Sequence, residues 1–177
     1  MKSLALIISL ILSSAIASAG AHSVPEDGPD GLYIHHTDEN GNSTYQYWGE
    51  APDLVFARTI EGRALNTSSK LASLERRDGP VCSSFELDQN DANSATNGLA
   101  AWFGCGRSFK GKSEASYKSG SVVAFGCDYG DGQTYTSDKY LDDIAAVKAK
   151  CGNSAGWFAH DSWKSSYGFT QTSQSYC

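Results

Sequence analysis

The chain has 177 residues and a formal net charge of −6, and all five of its cysteines lie in the last 100 residues. This length accommodates one small domain and a leader, not two enzyme-sized lobes. The last 100 residues hold eight Lys and Arg against eleven Asp and Glu, with no basic run. Nucleic acid is therefore excluded as a main partner, because phosphate binding needs clustered positive charge.

Residues 1–19 have the pattern of an export signal. Lys2 supplies the positive start, an apolar run covers residues 4–12, and Ala17-Ser18-Ala19 matches the pattern that signal peptidase cleaves. The run is too short to cross about 30 Å of hydrocarbon at roughly 1.5 Å per residue, which favours a signal peptide over a membrane anchor. The pattern predicts a secreted protein that is cut after Ala19.

Residues 20–77 are interpreted as a leader, because they contain no cysteine and end in Arg76-Arg77 at a break in composition. The dibasic pair resembles the sites cut by the fungal Kex-type processing protease, and the alternative is a surface charge pair in an uncut linker. Asn42 and Asn66 each begin an Asn-x-Ser/Thr acceptor, which predicts a glycoprotein. The mature domain would then be residues 78–177, and association of the leader with it after cutting is a further hypothesis.

A hairpin is predicted inside this leader. β-forming residues at 31–36 and 44–48 flank Asn40-Gly41, which is typical of a two-strand turn. An isolated hairpin is marginal in water, so this one would have to pack against something else. His35-His36 could bind metal, but no carboxylate or cysteine lies beside them at ligand spacing. Solvated strand residues are the favoured interpretation.

The first half of residues 78–177 predicts a strand, a helix, a loop and a second strand. Asn90 or Asp91 offers a cap to the helix. Ala95, Leu99 and Trp102 then fall at i, i+4 and i+7, the apolar stripe of an amphipathic helix. The other segments are a short alternating strand at 81–87, a polar loop at 107–118 and an apolar central strand at 121–127.

The second helix has the clearest pattern in the chain. Thr136 or Ser137 caps it, and its apolar face runs from Tyr140 to Cys151 at helical spacing. One strand precedes it at 133–135, and two follow near 155–160 and 167–172. The order β-α-β-β-α-β-β predicts an α+β fold, a small disulfide-bonded antiparallel sheet with two helices on one face in a split βαβ arrangement.

Fifteen of the last 100 residues are aromatic, and most of them should form the core. Four that lie near turns are candidates for partial exposure: Tyr129, Tyr135, Trp157 and Trp163. An exposed aromatic cluster would mark a binding face, and we take Tyr129, Trp157 and Trp163 as its candidate residues. Ordinary packing is the alternative.

Five cysteines allow fifteen patterns of two bridges and one odd thiol. A small secreted domain favours bridges over free thiols. Cys151 ends the second helix on its buried face and can meet Cys82 on the first strand, while Cys105 can hold the chain end at Cys177. Each bridge closes a loop of about 70 residues, which stabilises by roughly 4 kcal/mol in the chain-entropy model. Cys127 is then the odd thiol, either buried and inert or paired in a disulfide-linked dimer.

No catalytic, metal or cofactor signature is present. His160 is the single histidine of residues 78–177, and its neighbours Asp161 and Ser162 would alternate across a strand and build no triad. Asp142-Asp143 diverge by about 100° on the helix, which favours a solvated polar face over a carboxylate pair. Without a Cys-x-x-Cys or Cys/His cluster, a metal site is not predicted either. We therefore expect a protein that is not an enzyme.

Three segments carry a resemblance to a known group of proteins. They are Gly120-Ser121-Val122-Val123-Ala124-Phe125, then Ala149-Lys150-Cys151-Gly152, and finally Tyr167-Gly168-Phe169-Thr170 leading to Cys177. With a signal peptide and a dibasic-ended leader, they resemble fungal secreted effectors, killer toxins and necrosis-inducing (Hce-type) proteins. Those families have a strand, a helix that ends near Cys-Gly, and a final strand that runs into a last cysteine. The resemblance covers about residues 100–177 and implies a killer-toxin-like fold.

Two functions therefore stand as expectations. The resemblance implies a secreted virulence effector or toxin-like protein that acts by binding a protein, membrane or wall target on a plant host or competing microbe. The alternative is a secreted carbohydrate-binding or wall-associated module that uses Tyr129, Trp157 and Trp163 as stacking platforms. A small secreted hydrolase is a third and weaker hypothesis.

Overall fold

The computed structural model describes residues 23–38, 43–50 and 78–177. These residues form an antiparallel sheet with two helices. The elements are β1 (Gly31–Thr37), β2 (Ser43–Gly49), β3 (Gly79–Glu86), α1 (Gln89–Phe103), β4 (Arg107–Ser108), β5 (Ser113–Ser119), β6 (Val122–Asp128), β7 (Thr134–Tyr135), α2 (Ser137–Cys151), β8 (Ser154–His160) and β9 (Ser165–Gln171). The predicted α+β class, with an antiparallel sheet, two helices and disulfides, is confirmed.

Seven strands form one sheet in the order β2-β1-β5-β6-β9-β8-β3, while β4 and β7 pair separately. Every pairing in the large sheet is antiparallel. β6 is the middle strand and is buried along its whole length, as its apolar run predicts. β6 and β8 run in the same direction on either side of β9, and α2 lies between them in the chain.

Both helices begin at side-chain caps. Asp88 precedes α1 in an extended conformation and accepts hydrogen bonds from the backbone N–H groups of Asn90 and Asp91. The cap prediction for α1 is therefore wrong by two or three residues, because Asp88 is the residue with non-helical backbone angles. Thr136 caps α2 as predicted and accepts a hydrogen bond from the N–H of Lys139.

The main core lies between the helices and one face of the sheet. Phe103 from α1 and Tyr140 from α2 meet there, with their ring centroids 5.2 Å apart. Tyr167 from β9 reaches the same cluster, 6.0 Å from the ring of Phe103. All three side chains are buried. Two amphipathic helices thus close one face of the sheet with aromatic rings.

Strand β5 replaces most of the loop predicted at 107–118. It pairs with β1 on one side and β6 on the other. Glu114, Ser116 and Lys118 alternate with Ala115 along it, and all four are buried. A buried strand with polar residues on one face has too little hydrophobicity to be distinguished from a loop by pattern alone.

The hairpin residues 31–37 and 43–49 form β1 and β2, which pair antiparallel with each other. β1 also pairs with β5, so these two strands extend the sheet that residues 78–177 build. Leu32 and Tyr33 are buried on opposite faces of the sheet. His35 is buried as well, not solvated as predicted, since β1 lies between β2 and β5 in the sheet, and it is directly across from Glu114.

Two disulfides are formed, and one of them differs from prediction. Cys82–Cys151 is present as predicted, with Cα atoms 5.4 Å apart, and joins β3 to the end of α2. The predicted Cys105–Cys177 bridge is wrong, since Cys177 bonds Cys127 with Cα atoms 5.7 Å apart. The chain end returns beneath β6, away from the turn after α1 that carries Cys105.

The odd thiol is therefore Cys105 and not Cys127. Cys105 is exposed, between the two glycines that follow α1. Cys127 is 1% exposed and already bonded, so the predicted dimer through Cys127 is wrong as well. Five further predicted positions lie outside the described residues: Ala19, Asn42, Asn66, Arg76 and Arg77.

Candidate functional site on the sheet face opposite the helices

The middle strand of the sheet presents apolar side chains to both faces. Val122 and Ala124 on β6 join the helix-side core. Val123, Phe125 and Cys127 alternate with them and belong to a second cluster on the other face. A second apolar face requires a cover that the two helices do not supply.

Short pieces of chain provide that cover. Val24 comes from the N-terminal side and Tyr176 from the C-terminal side, and Tyr33 on β1 belongs to the same apolar cluster. The ring of Tyr176 stacks on Phe125 at a centroid distance of 4.8 Å with an interplanar angle of 19°. The adjacent Cys127–Cys177 bridge holds this tail against the sheet. The cover is thus partly covalent.

A groove remains beside this tail. It has a volume of about 300 Å³. Its lining combines aromatic rings with hydroxyl groups, and the principal residues are Phe125, Tyr129, Trp157, Tyr176, Ser166 and Thr170. Concave, mostly apolar sites with a few polar groups are typical of binding pockets. We treat this groove as the candidate functional site.

Glycine at the neighbouring strand position makes room for Trp157. Trp157 on β8 lies directly across from Gly168 on β9. A Cβ at Gly168 would collide with the Cα and Cβ of Trp157. The missing side chain therefore lets the indole pack close to the sheet, partly buried.

Tyr129 forms the end of the groove just after β6. Its N–H donates to the carbonyl of Lys164 at 2.8 Å, and its hydroxyl lies 3.1 Å from the Oγ of Ser166. Burial raises the pKa of Tyr129 above its ordinary value, so the phenol stays protonated at neutral pH. The side chain is nevertheless 48% exposed. Tyr129 is thus held at its backbone and at its hydroxyl, while about half of its surface is exposed.

The predicted binding surface is brought together in part. Tyr129 and Trp157 line the same groove. Trp163 is outside its lining and stacks on His160 at 4.7 Å, with the Nζ of Lys139 4.4 Å from the centre of its ring. Tyr135, predicted as partly exposed, is buried.

A buried polar cluster on the helix side includes His160. Its Nε2 lies 2.6 Å from Oδ2 of Asp143 and 3.2 Å from the hydroxyl of Tyr135. Tyr135 also donates to Asp143. Burial and the hydrogen bond to Asp143 raise the pKa of Tyr135 well above its usual value. A carboxylate only accepts hydrogen bonds, so Asp143 receives one from each partner.

This cluster satisfies the hydrogen-bonding groups of three buried side chains. Asp161 and Ser162, next in sequence, instead contact Asp78 through a backbone N–H at 2.8 Å and a hydroxyl at 3.4 Å. The predicted solvated face holds for Asp142 and is wrong for Asp143, because α2 turns Asp143 toward Tyr135. The arrangement pairs the buried polar groups of Tyr135, Asp143 and His160 with one another.

A second buried ionisable pair joins β1 to β5. Nδ1 of His35 lies 3.8 Å from Oε2 of Glu114, and both side chains are 3% exposed. Burial raises the pKa of Glu114 to about 7, although hydrogen bonds from Tyr176 and Ser116 lower it. The carboxyl therefore changes charge near neutral pH, in a cleft of about 200 Å³ beside the groove.

Two negative findings apply to residues 23–38, 43–50 and 78–177. No three His, Cys, Asp or Glu side chains among them are grouped closely enough to hold a metal ion. Neither helix in this part of the chain is both long and apolar enough to cross a membrane.

Sequence reasoning missed most of the groove. Tyr129 and Trp157 are predicted as binding residues, whereas Phe125 and Tyr176 belong to the aromatic residues expected in the core. The uninterrupted apolar run of β6 was the available signal, because a strand that is apolar on both faces needs a cover on each. Hydroxyls such as those of Ser166 and Thr170 carry no comparable signal.

Comparisons with protein-family models, with characterised proteins and with solved structures give no match for this chain. We therefore infer function from the groove, the buried clusters and the sequence patterns.

Proposed function

We propose that this protein is an exported effector or toxin-like protein that binds a target on a foreign cell and does not turn over a substrate. The contact site would be the groove formed around Tyr129 and Trp157. The observation that carries the proposal is the half-exposed Tyr129, which shares a groove of about 300 Å³ with Trp157. Exposed aromatic groups in a concave, prebuilt site favour binding.

The groove is anchored on regular structure. Trp157 is on β8, and the floor residue Phe125 is on β6, the central strand. The Cys127–Cys177 bridge fixes the tail that forms one wall. A site that needs little ordering on binding loses less free energy to entropy, which suits a protein that acts by affinity alone.

Export is supported by two kinds of observation. Residues 1–19 have the signal-peptide pattern, and two disulfides are compatible with an oxidising compartment. A cut at Arg76-Arg77 would then make residues 78–177, which contain both bridges, a separate polypeptide.

The killer-toxin-like arrangement is part of the same proposal. β6 and β8 run in the same direction with β9 between them, and α2 connects them. This order supports a split βαβ unit. Together with the sequence resemblance, it favours a competing microbe or a plant host as the target.

The test compares a variant that lacks two aromatic side chains of the groove with a variant that lacks an exposed aromatic side chain outside it. Secreted protein is infiltrated into plant leaves and spotted on yeast lawns as wild type, as Tyr129→Ala with Trp157→Ala, and as Trp163→Ala. Trp163 is the matched control because it is 47% exposed, like Tyr129 at 48%, yet lies outside the groove. We expect the double variant to lose the response at least tenfold and Trp163→Ala to keep it.

Two outcomes would contradict the proposal. One is an equal response from the groove variant and the wild type, with both shown to be folded by circular dichroism. The other is loss of the response on His160→Gln, a change that keeps an N–H donor toward Asp143 but removes acid–base capacity. The second result would indicate catalysis.

Carbohydrate binding is the second candidate. The mixture of ring faces with the hydroxyls of Ser83, Ser166, Thr170 and Ser175 in the groove favours it. Retention of the wild type, but not of the Tyr129→Ala, Trp157→Ala variant, on chitin or glucan would assign the groove to a wall polysaccharide. Free passage through both matrices would exclude this candidate for these two polymers.

A further inference from the structure

Residues 23–50 contribute two strands to the sheet, but no disulfide joins them to residues 78–177. Residues 23–50 contain no cysteine, and the first cysteine of the chain is Cys82. Both disulfides therefore lie inside residues 78–177. Apart from the connection through residues 51–77, the hairpin is held by noncovalent contacts alone.

Those contacts form a continuous strand interface. β1 pairs with β5 over six residues, from Gly31 opposite Lys118 to His36 opposite Ser113. β5 in turn pairs over its whole length with β6. Without β1, the outer edge of β5 would be an open row of backbone N–H and C=O groups in residues 78–177. The hairpin closes this edge.

Side chains of β1 enter both apolar clusters. Leu32 is buried in the main core, and Ile34 packs against that core on the same side. Tyr33 enters the cluster on the opposite face together with Val123 and Phe125. Because strand side chains alternate, a shift of one residue would exchange these two sets between the faces. The two apolar clusters therefore fix the register of β1 on β5, because only one register places each side chain in its own cluster.

A charged anchor precedes β1. Asp30 accepts a hydrogen bond from Nζ of Lys118 at 2.8 Å and from the N–H of Gly120 at 3.0 Å. Both donors belong to the end of β5 and the turn after it. Lys118 is buried and takes this ion pair as its charged partner. The anchor fixes the end of the hairpin nearest Gly31.

We propose that β5 is an acceptor edge for strand addition and that its ligand is residues 23–50 of this same chain, which stay bound as a separate polypeptide after the connection to Asp78 is cut. Extended segments that add to a sheet edge gain affinity from the backbone ladder and specificity from alternate side-chain sockets. The proposal is independent of the groove and of the identity of any target. It makes the processed protein a two-chain molecule.

The test begins with the intact, oxidised chain. A recognition sequence for a specific protease is inserted between residues 50 and 78, and the folded protein is cut and run on a sizing column at micromolar concentration. We expect both pieces to elute together as a one-to-one complex by native mass spectrometry, and to separate in denaturant. Elution of residues 78–177 alone as a folded monomer would overturn the proposal.

A matched pair of variants tests whether the buried side chains of β1 hold the hairpin in place. In the cut protein, Leu32→Asp should weaken retention of the hairpin at least tenfold, because it places a charge in the main core. Trp48→Asp on β2 is the control, since Trp48 is 56% exposed, and it should change retention less than twofold. Equal retention of the two variants would contradict the proposal.

Two further measurements keep the test decisive. If uncut Leu32→Asp fails to fold, Asp30→Asn replaces it, and a several-fold faster loss of the hairpin is expected from removal of the ion pair with Lys118. Noncovalent dimers of residues 78–177 that lack the hairpin would show that a second copy is the preferred occupant of the β5 edge. That outcome would also overturn the proposal.

Discussion

The two faces of the sheet are closed by different means. Two helices cover one face, where Phe103, Tyr140 and Tyr167 fill the main core. The other face is covered only in part, by Val24 from one end of the described chain and Tyr176 from the other. The covered face has no need of further partners, whereas the other face leaves a groove. The main core and the candidate site thus lie on opposite sides of one sheet.

The open face also differs in polarity. β5 turns Glu114, Ser116 and Lys118 away from the helices, and all three are buried. Buried polar groups need partners, and several of these come from chain segments distant in sequence, such as Asp30 for Lys118. The open face therefore depends on charged groups that are brought together from separate segments, as the helix face does at the cluster of Asp143, Tyr135 and His160.

The largest expected effect is on the helix face. Phe103→Ala should lower the free energy of unfolding by about 4 kcal/mol, since it removes a fully buried ring that contacts Phe109, Tyr135, Tyr140 and Tyr167. Tyr176→Ala on the opposite face should lower it by about 2 kcal/mol. Urea unfolding of both variants measures the difference. Equal losses of unfolding free energy in the two variants would contradict the conclusion that the helix face contributes more to stability than the open face.

Removal of either disulfide should destabilise by about 4 kcal/mol in the chain-entropy model, because the loops of 69 and 50 residues that they close are similar. The functional effects should differ. Cys127→Ser with Cys177→Ser frees the tail beside the groove, so it should abolish target binding. Cys82→Ser with Cys151→Ser should preserve binding at temperatures where the variant is folded. Equal loss of binding by both variants would show that the tail has no special role.

The pH dependence of stability should be set on the open face by Glu114. Its folded pKa of about 7 is above the unfolded value of 4.5, so its contribution is fully present below about pH 4.5 and is lost as the pH rises through 7. We expect a decrease of about 3 kcal/mol across this window, since each pKa unit corresponds to about 1.4 kcal/mol, measured by urea unfolding at several pH values.

Glu114→Gln is the control for this effect, because it keeps the shape of the side chain but cannot ionise. Its stability should be nearly flat over the same range. His35, Lys112, Asp128 and Tyr129 line the same cleft and Tyr176 contacts the carboxyl, so a pH response that survives Glu114→Gln would assign the titration to one of these neighbours.

The smallest effect on stability is expected for the exposed aromatics. Tyr129→Ala and Trp163→Ala should each change the free energy of unfolding by less than about 1 kcal/mol, since both side chains are about half exposed. Thermal unfolding checks this. A larger loss for Tyr129→Ala would mean that Tyr129 packs the fold and is not held ready for a ligand.

The sequence alone predicts the helices and strands whose apolar residues recur at a clear helical or strand spacing. Helix α2 has a capping Thr136 and an unbroken apolar face, and β6 has an apolar run, so both were predicted close to their observed bounds. β5 was missed because its buried residues are polar. Its partners, such as Asp30 opposite the end of the strand, become neighbours only after folding.

The disulfide error has the same origin. Cys151 could be paired with Cys82 because the helix face and the first strand are local predictions. The return of the chain end beneath β6 depends on the stacking of Tyr176 on Phe125, which no local pattern indicates. Tyr129 and Trp157 could be proposed as exposed from their positions near turns, but their meeting in one groove is a property of the sheet order.

The central claim is that residues 23–50 and 78–177 build one sheet, whose face opposite the helices is held ready for binding. Amide hydrogen exchange on the intact oxidised protein tests this most directly. The account predicts that the amides of Tyr33 to His36 in β1 are protected to a similar degree as those of Ala115 to Tyr117 in β5. Exchange of the β1 amides at the rate of an unfolded peptide, while β5 and β6 stay protected, would contradict it.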